Sequence, residues 1–218
     1  MLSAPETPEI DHRTLKLIVG VIAISLAGLT SFLAKYRITS ISGSYYEGGY
    51  SQIVLIGFLF AIAAFLLAYN GMSKREMVLS KVASVAAFGV AIFPCHCPGH
   101  PESAIFAPEV KYLHSASAAI MFLILAFFCY EFNRRAHAKG YVQARRRARI
   151  YVVCGVLIVL SILVMAIDRL TGDALSARFD KLTFVGEGVA LVAFGVSWLT
   201  ASRILPGLAR EDERLSLV

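Results

Sequence analysis

The residues best equipped for chemistry are gathered in one polar interruption of an apolar chain. Residues 93–119 read FPCHCPGHPESAIFAPEVKYLHSASAA and hold three of the five histidines and two of the four cysteines. Cys95, His96, Cys97 and His100 are all side-chain types that ligate a soft or borderline metal such as zinc or copper. Their C-x-C spacing is tighter than the usual zinc pattern, and no second pair follows. Pro98 and Pro101 impose an irregular loop, so His96 and His100 do not simply share a helix face. On an oxidising face, Cys95 and Cys97 have an alternative: a disulfide with each other or with a partner chain. A haem held by His96, His100 and His114 is a further reading of the same set.

Two other residues stand out by position. His114 opens an apolar run, and Ser117, Ala118 and Met121 follow on its helical face. Small residues there let a neighbouring helix approach, so the imidazole points into protein; the alternative is an interfacial histidine that caps a helix or snorkels at headgroup level. Glu187 is the single charge inside an apolar run, with Leu191, Phe194 and Trp198 continuing its face. A carboxylate in hydrocarbon costs at least ~2.5 kcal/mol, so Glu187 must face a partner or a wet cavity. Gly186 and Gly188 would let another backbone or a ligand come close. Glu187 reads as a proton-transfer group, a hydrogen-bond anchor or a ligand; the structural alternative is a hydrogen bond that fixes helix packing. Tyr45 and Glu47 fall at a similar depth, and with Ser117 they complete a candidate pocket. Tyr46 reads as part of an interfacial aromatic belt, and Asp168 with Arg169 as an interfacial charge pair.

These side chains must be positioned by helices in a membrane. The chain has 218 residues, 57% of them hydrophobic, and a mean hydropathy of +0.68, outside the soluble globular range. Apolar runs occupy residues 17–34, 53–69, 82–93, 115–132, 151–167 and 183–201. A hydrocarbon core ~30 Å thick takes roughly 20 residues of helix. The third run is short and must borrow Ser80, Lys81 and Pro94. The fold class is therefore an all-α integral membrane protein with six transmembrane helices. Residues 1–16 form a cytoplasmic N-terminal segment, 17–201 the transmembrane domain and 202–218 a cytoplasmic tail. No cleavable secretory signal precedes the first run.

With both termini cytoplasmic, fifteen Lys and Arg residues lie on the inner side and six on the outer. This bias accounts for the net charge of +6, so the charge is no nucleic-acid footprint. Arg145, Arg146, Arg147 and Arg149 read as a topology anchor against anionic headgroups. His114, Glu187, Glu47 and the Cys/His loop all face outward. Cys129 and Cys154 read as small packed hydrophobes. Nucleotide-binding, G-x-S-x-G and H-E-x-x-H motifs are absent from the sequence. No lysine inside an apolar run can form a retinal Schiff base, and intramembrane charge is too sparse for a channel or a long proton relay. A compact chain with short loops associates with a bacterial inner membrane.

In several short motifs the chain resembles a group of six-helix membrane proteins of the DRAM, Frag and Sfk type, with the PGAP-like proteins of GPI-anchor lipid remodelling and bacterial relatives of unknown function. The matching features are Ser40-Ile41-Ser42 with Tyr45-Tyr46, residues 65–71 and 88–94, Leu113-His114 with Ser117 and Ala118, and Glu187 ahead of residues 193–199. The resemblance implies an outward site near His114 and Glu187 and a role with membrane lipid. If the protein is an enzyme, His114 and Glu187 would be its acid–base pair on an ester or headgroup. The alternative is a non-catalytic subunit or assembly factor whose Cys/His loop docks a membrane-protein partner or metal; a homo-oligomer also fits. The CHCPGH loop is richer in ligands than this resemblance leads one to expect.

Overall fold

The structure, a computed structural model, describes residues 11–97 and 107–213. Among them are seven α-helices and no strand: α1 His12–Leu33, α2 Ser44–Glu47, α3 Gly49–Ala68, α4 Lys74–Ile92, α5 Pro108–Ala138, α6 Val142–Leu170 and α7 Leu182–Ser202. Five of these are long and apolar enough to cross a membrane: α1, α3, α5 from Tyr112, α6 and α7. The chain is thus a helical protein of membrane-spanning character. Its short connections, such as Tyr69–Ser73 and Lys139–Tyr141, make consecutive helices antiparallel neighbours.

The long helices are longer than the apolar runs that announce them. Apolarity marks only the part matched to hydrocarbon, whereas a helix continues through charged turns until a cap ends it. α1 starts at His12 because the Asp11 carboxylate accepts from the Arg13 N–H at 3.0 Å. α4 starts eight residues before its apolar run. There Ser73 and Glu76 form a capping box: the Ser73 hydroxyl accepts from the Glu76 N–H and donates to its carboxylate, both at 3.2 Å. Lys74, Arg75, Glu76 and Lys81 keep α4 out of the set of five apolar helices.

Each long helix packs on the next in chain order, and α1 closes the ring against α7. At that closing contact backbone meets backbone. A Cβ added to Gly195 would lie 2.5 Å from Ile24 Cγ1 and 2.7 Å from the Gly20 carbonyl oxygen; one added to Gly20 would lie 2.9 Å from the Gly195 oxygen. Only glycines permit this approach. Inside the ring, hydroxyls turn back on neighbouring helix backbones: Ser51 donates to the Thr30 carbonyl at 2.9 Å, Ser80 to Leu66 at 2.6 Å and Ser84 to Ala63 at 2.7 Å. Such bonds contribute about 0.6 kcal/mol each in a membrane protein. Phe128, Phe194 and Trp198 fill the centre, and Cys129 and Cys154 are free, buried thiols.

One end of the ring is rich in arginine. There Glu76, 1% exposed, pairs with Arg135. The single-turn helix Glu211–Glu213 folds back so that the Glu213 carboxylate meets Lys139, Tyr141, Arg147 at 3.4 Å and Arg203 at 3.2 Å. Partial burial works against ionisation of Glu213, but the hydrogen bonds from Lys139 and Tyr141 and the charge of Arg203 prevail and pull its pKa down to about 2. Because the folded value lies below the ordinary 4.5, this clasp stabilises fully above pH ~4.5 and loses its contribution as pH falls towards 2. Glu213→Gln should therefore unfold at lower temperature than wild type at pH 7, with the gap closing in acid. A gap that stays constant from pH 7 to pH 3 would remove the carboxylate from this account.

Candidate functional site

At the opposite end, the first turns of α7 present Glu187 to the segment joining α1 to α2. Residues 40–43 bend over the carboxylate. Oε2 accepts from the Ser40 hydroxyl at 2.9 Å, the Ile41 N–H at 2.6 Å and the Ser42 N–H at 3.2 Å, while Oε1 accepts from the Ser42 hydroxyl. Four donors on one carboxylate resolve the cost of placing a charge here. The turn depends on Glu187 in return, because its N–H groups have no strand or helix to bond. Phe184 N–H donates to the Thr39 carbonyl at 3.1 Å, which fastens the same segment to α7. Of the readings open for Glu187, the hydrogen-bond anchor is the one the contacts display.

His114 lies on α5, 6% exposed. Its Nδ1 is 2.8 Å from the carbonyl oxygen of Phe93, the residue that caps α4. A helix-end carbonyl lacks an intrahelical donor, so the imidazole N–H supplies one. Donation from Nδ1 leaves Nε2 with the lone pair in the neutral ring, an arrangement in which a third group orients a base. One turn along α5, Ser117 packs directly against Gly89 of α4, and Met121 is buried beyond it. The small-residue face behind His114 thus meets another helix as its spacing implies.

The short helix α2 covers the space between these two anchors. Tyr46 donates from its hydroxyl to the Cys95 carbonyl at 2.7 Å, so it ties α2 to the loop after α4 and is not simply a belt residue. Tyr45 packs against the core, with its ring 5.3 Å from that of Tyr46. Gly48 and Gly49, at φ of 69° and 58°, make the reversal into α3 that L side chains resist. Ser44 Oγ and Glu47 Oε2 are buried with no hydrogen-bond partner among the described residues. Buried polar atoms left unmatched cost about 1–3 kcal/mol each, so these two call for a ligand or water. Contacts therefore run in a chain from Glu187 through residues 40–47 to Cys95, Phe93 and His114.

The Cys/His loop departs from a metal site. Cys95 and Cys97 are joined in a disulfide and are 4% and 5% exposed, the alternative that their spacing allowed. Bonded sulfurs offer no thiolate, so a Cys95/His96/Cys97/His100 ligand set is not formed in this state. His100 lies outside the described residues. No group of three metal-ligating side chains is assembled among the described residues. Asp168 and Arg169 also do not pair: Asp168 accepts from the Leu175 and Ser176 N–H groups at 2.8 and 3.1 Å, and Arg169 reaches Asp173 at 3.1 Å.

Beside the polar cluster, α6 and α7 part to leave an apolar groove of about 560 Å³. It runs from Arg149, near the arginine-rich end of α6, past Leu157 and Val192 to Gly188. Gly188 touches both features, since a Cβ there would lie 3.7 Å from Ile41, the residue whose N–H binds Glu187. Comparison of the chain with protein-family models, with characterised proteins and with solved structures yields no match.

Proposed function

We propose that this protein handles or senses membrane lipid through a polar pocket bounded by His114, Glu187, Ser117, Tyr45 and Glu47. In this reading α4 supplies a sixth span, both termini are cytoplasmic, the pocket faces outward from a bacterial inner membrane, and the chain is a distant relative of the DRAM, Frag and Sfk type of protein. The observation that carries it is the junction at Gly188, where an acyl-sized apolar groove meets a polar cluster holding two unmatched buried oxygens. A lipid has both parts: chains for the groove and a hydroxyl- or amine-bearing headgroup for Ser44 Oγ and Glu47 Oε2. Glu187 serves as the residue that positions the 40–47 segment, and the His114 Nε2 lone pair as the group that meets the headgroup.

The test is native mass spectrometry on protein purified in mild detergent. Wild type is expected to retain stoichiometric phospholipid. Val192→Trp, which fills the groove, should lose most of it while its unfolding temperature stays close to that of wild type; His114→Ala should lose most of it and also unfold at a lower temperature, because the Phe93 carbonyl loses its donor. Lipid-free wild type, or equal retention in both variants, would overturn the reading.

A further inference from the structure

The arginine-rich end holds a second set of polar groups, unrelated to the pocket at the Glu187 end. Tyr69 and Trp198 are each 0% exposed, and neither the Tyr69 hydroxyl nor the Trp198 Nε1–H has a partner among the described residues. Their rings lie 5.2 Å apart. The His12 ring stands edge-on to Tyr69 at 5.6 Å, and its Nδ1 is also buried without a partner among the described residues. Lys16 Nζ sits 5.2 Å from the centres of both Tyr69 and Phe132. The ammonium forms no salt bridge among the described residues. The nearest buried carboxylate, Glu76, is already taken by Arg135, Ser73 and the Met72 N–H. One tyrosine thus gathers an ammonium, a hydroxyl, an indole N–H and an imidazole around itself.

The chemistry of the shortfall is one-sided. An ammonium and an indole N–H only donate, and a buried hydroxyl without an acceptor is a third unmet donor. Arg135 is paired with Glu76 and Arg203 with Glu213, so Lys16 is left as a cation with no carboxylate among the described residues. A group rich in acceptor oxygens and negatively charged answers both deficits. We propose that this end of the bundle binds an oxyanion of the phosphate class, held by Lys16 with Tyr69, Trp198 and His12. Lys16 and His12 are only half-buried and form the open side, so the anion can be free phosphate or the phosphate of a lipid headgroup at that membrane face.

Trp198 is the sole tryptophan, so indole emission reports this site alone. The protein is held in dodecyl maltoside micelles, which carry neither phosphate nor tryptophan, at fixed ionic strength and is titrated with inorganic phosphate, with chloride as control. A second arm titrates in short-chain phosphatidylglycerol instead. A saturable change with phosphate assigns the site to the free anion; a change only with phosphatidylglycerol assigns it to a lipid headgroup. In the responding arm Lys16→Gln should weaken apparent affinity by roughly tenfold or more, as expected for a lost charge-assisted bond. Tyr69→Phe, which keeps the ring and therefore the packing, should weaken it several-fold. Silence in both arms, an equal response to chloride, or affinity unchanged in both variants overturns the proposal. Lipid retention by the groove variants is read separately, so either idea can fail alone.

Discussion

Glu187→Leu should lower the unfolding free energy by about 3 kcal/mol, the scale of losing charge-assisted hydrogen bonds whose partly buried donors are left unmatched. Leucine fills a similar volume but accepts nothing, so two hydroxyls and two N–H groups of residues 40–42 lose their acceptor together. Their individual losses do not simply add, because the freed turn can swing into water. Glu187→Gln keeps the shape and one carbonyl oxygen and should cost about 1–2 kcal/mol. Both values are measurable from thermal unfolding in detergent, with proteolysis of residues 40–47 as a local readout. A leucine variant as stable and as protease-resistant as wild type would mean that the turn holds its shape without the carboxylate.

The second large effect belongs to the α1–α7 seam. Gly195→Val is expected to destabilise by about 3 kcal/mol, the upper part of the usual range for overpacking. Its side chain would meet the Gly20 carbonyl oxygen and Ile24 N, which are backbone atoms and cannot rotate away. The helices would have to separate along their length. Gly28→Ala on the partner helix α1 supplies the contrast, since nothing lies within 4 Å of the added carbon. That variant should be neutral or more stable by about 0.5–1 kcal/mol. Equal behaviour of the two variants on heating would argue that the seam is looser than its geometry indicates.

Much of the architecture could be read from the residues because the hydrophobic requirement of a membrane is severe and local. Five of the six apolar runs correspond to helices of spanning length and apolarity, and the faces continuing Glu187 and His114 are buried as their spacing implies. The sixth, 82–93, lies in a full-length helix whose polar first half dilutes its hydropathy; the capping box at Ser73 and Glu76 was the local sign of where it begins. Other features depend on partners distant in sequence. Nothing near Glu187 reveals that its carboxylate is met by residues 40–42, and nothing near Tyr46 identifies the Cys95 carbonyl. Lys16 reads as the end of a solvated segment, yet it lies in α1 against two aromatic rings. Small residues at 20 and 195 carry no periodic signature, so this close helix contact leaves no mark in the pattern.

Because the ring is closed by its first and last long helices, its completion is an event in time as well as in space. At ~5–20 residues per second, roughly 10–35 s pass between synthesis of Gly20 and of Gly195. Throughout that interval α1 offers lipid a groove shaped for a backbone that does not yet exist, and residues 40–42 wait for the carboxylate that will order them. A ribosome that stops before α7 releases a chain with both defects exposed at once. Surveillance that recognises unpaired membrane helices would therefore find this protein vulnerable until its final helix arrives, and secure immediately after.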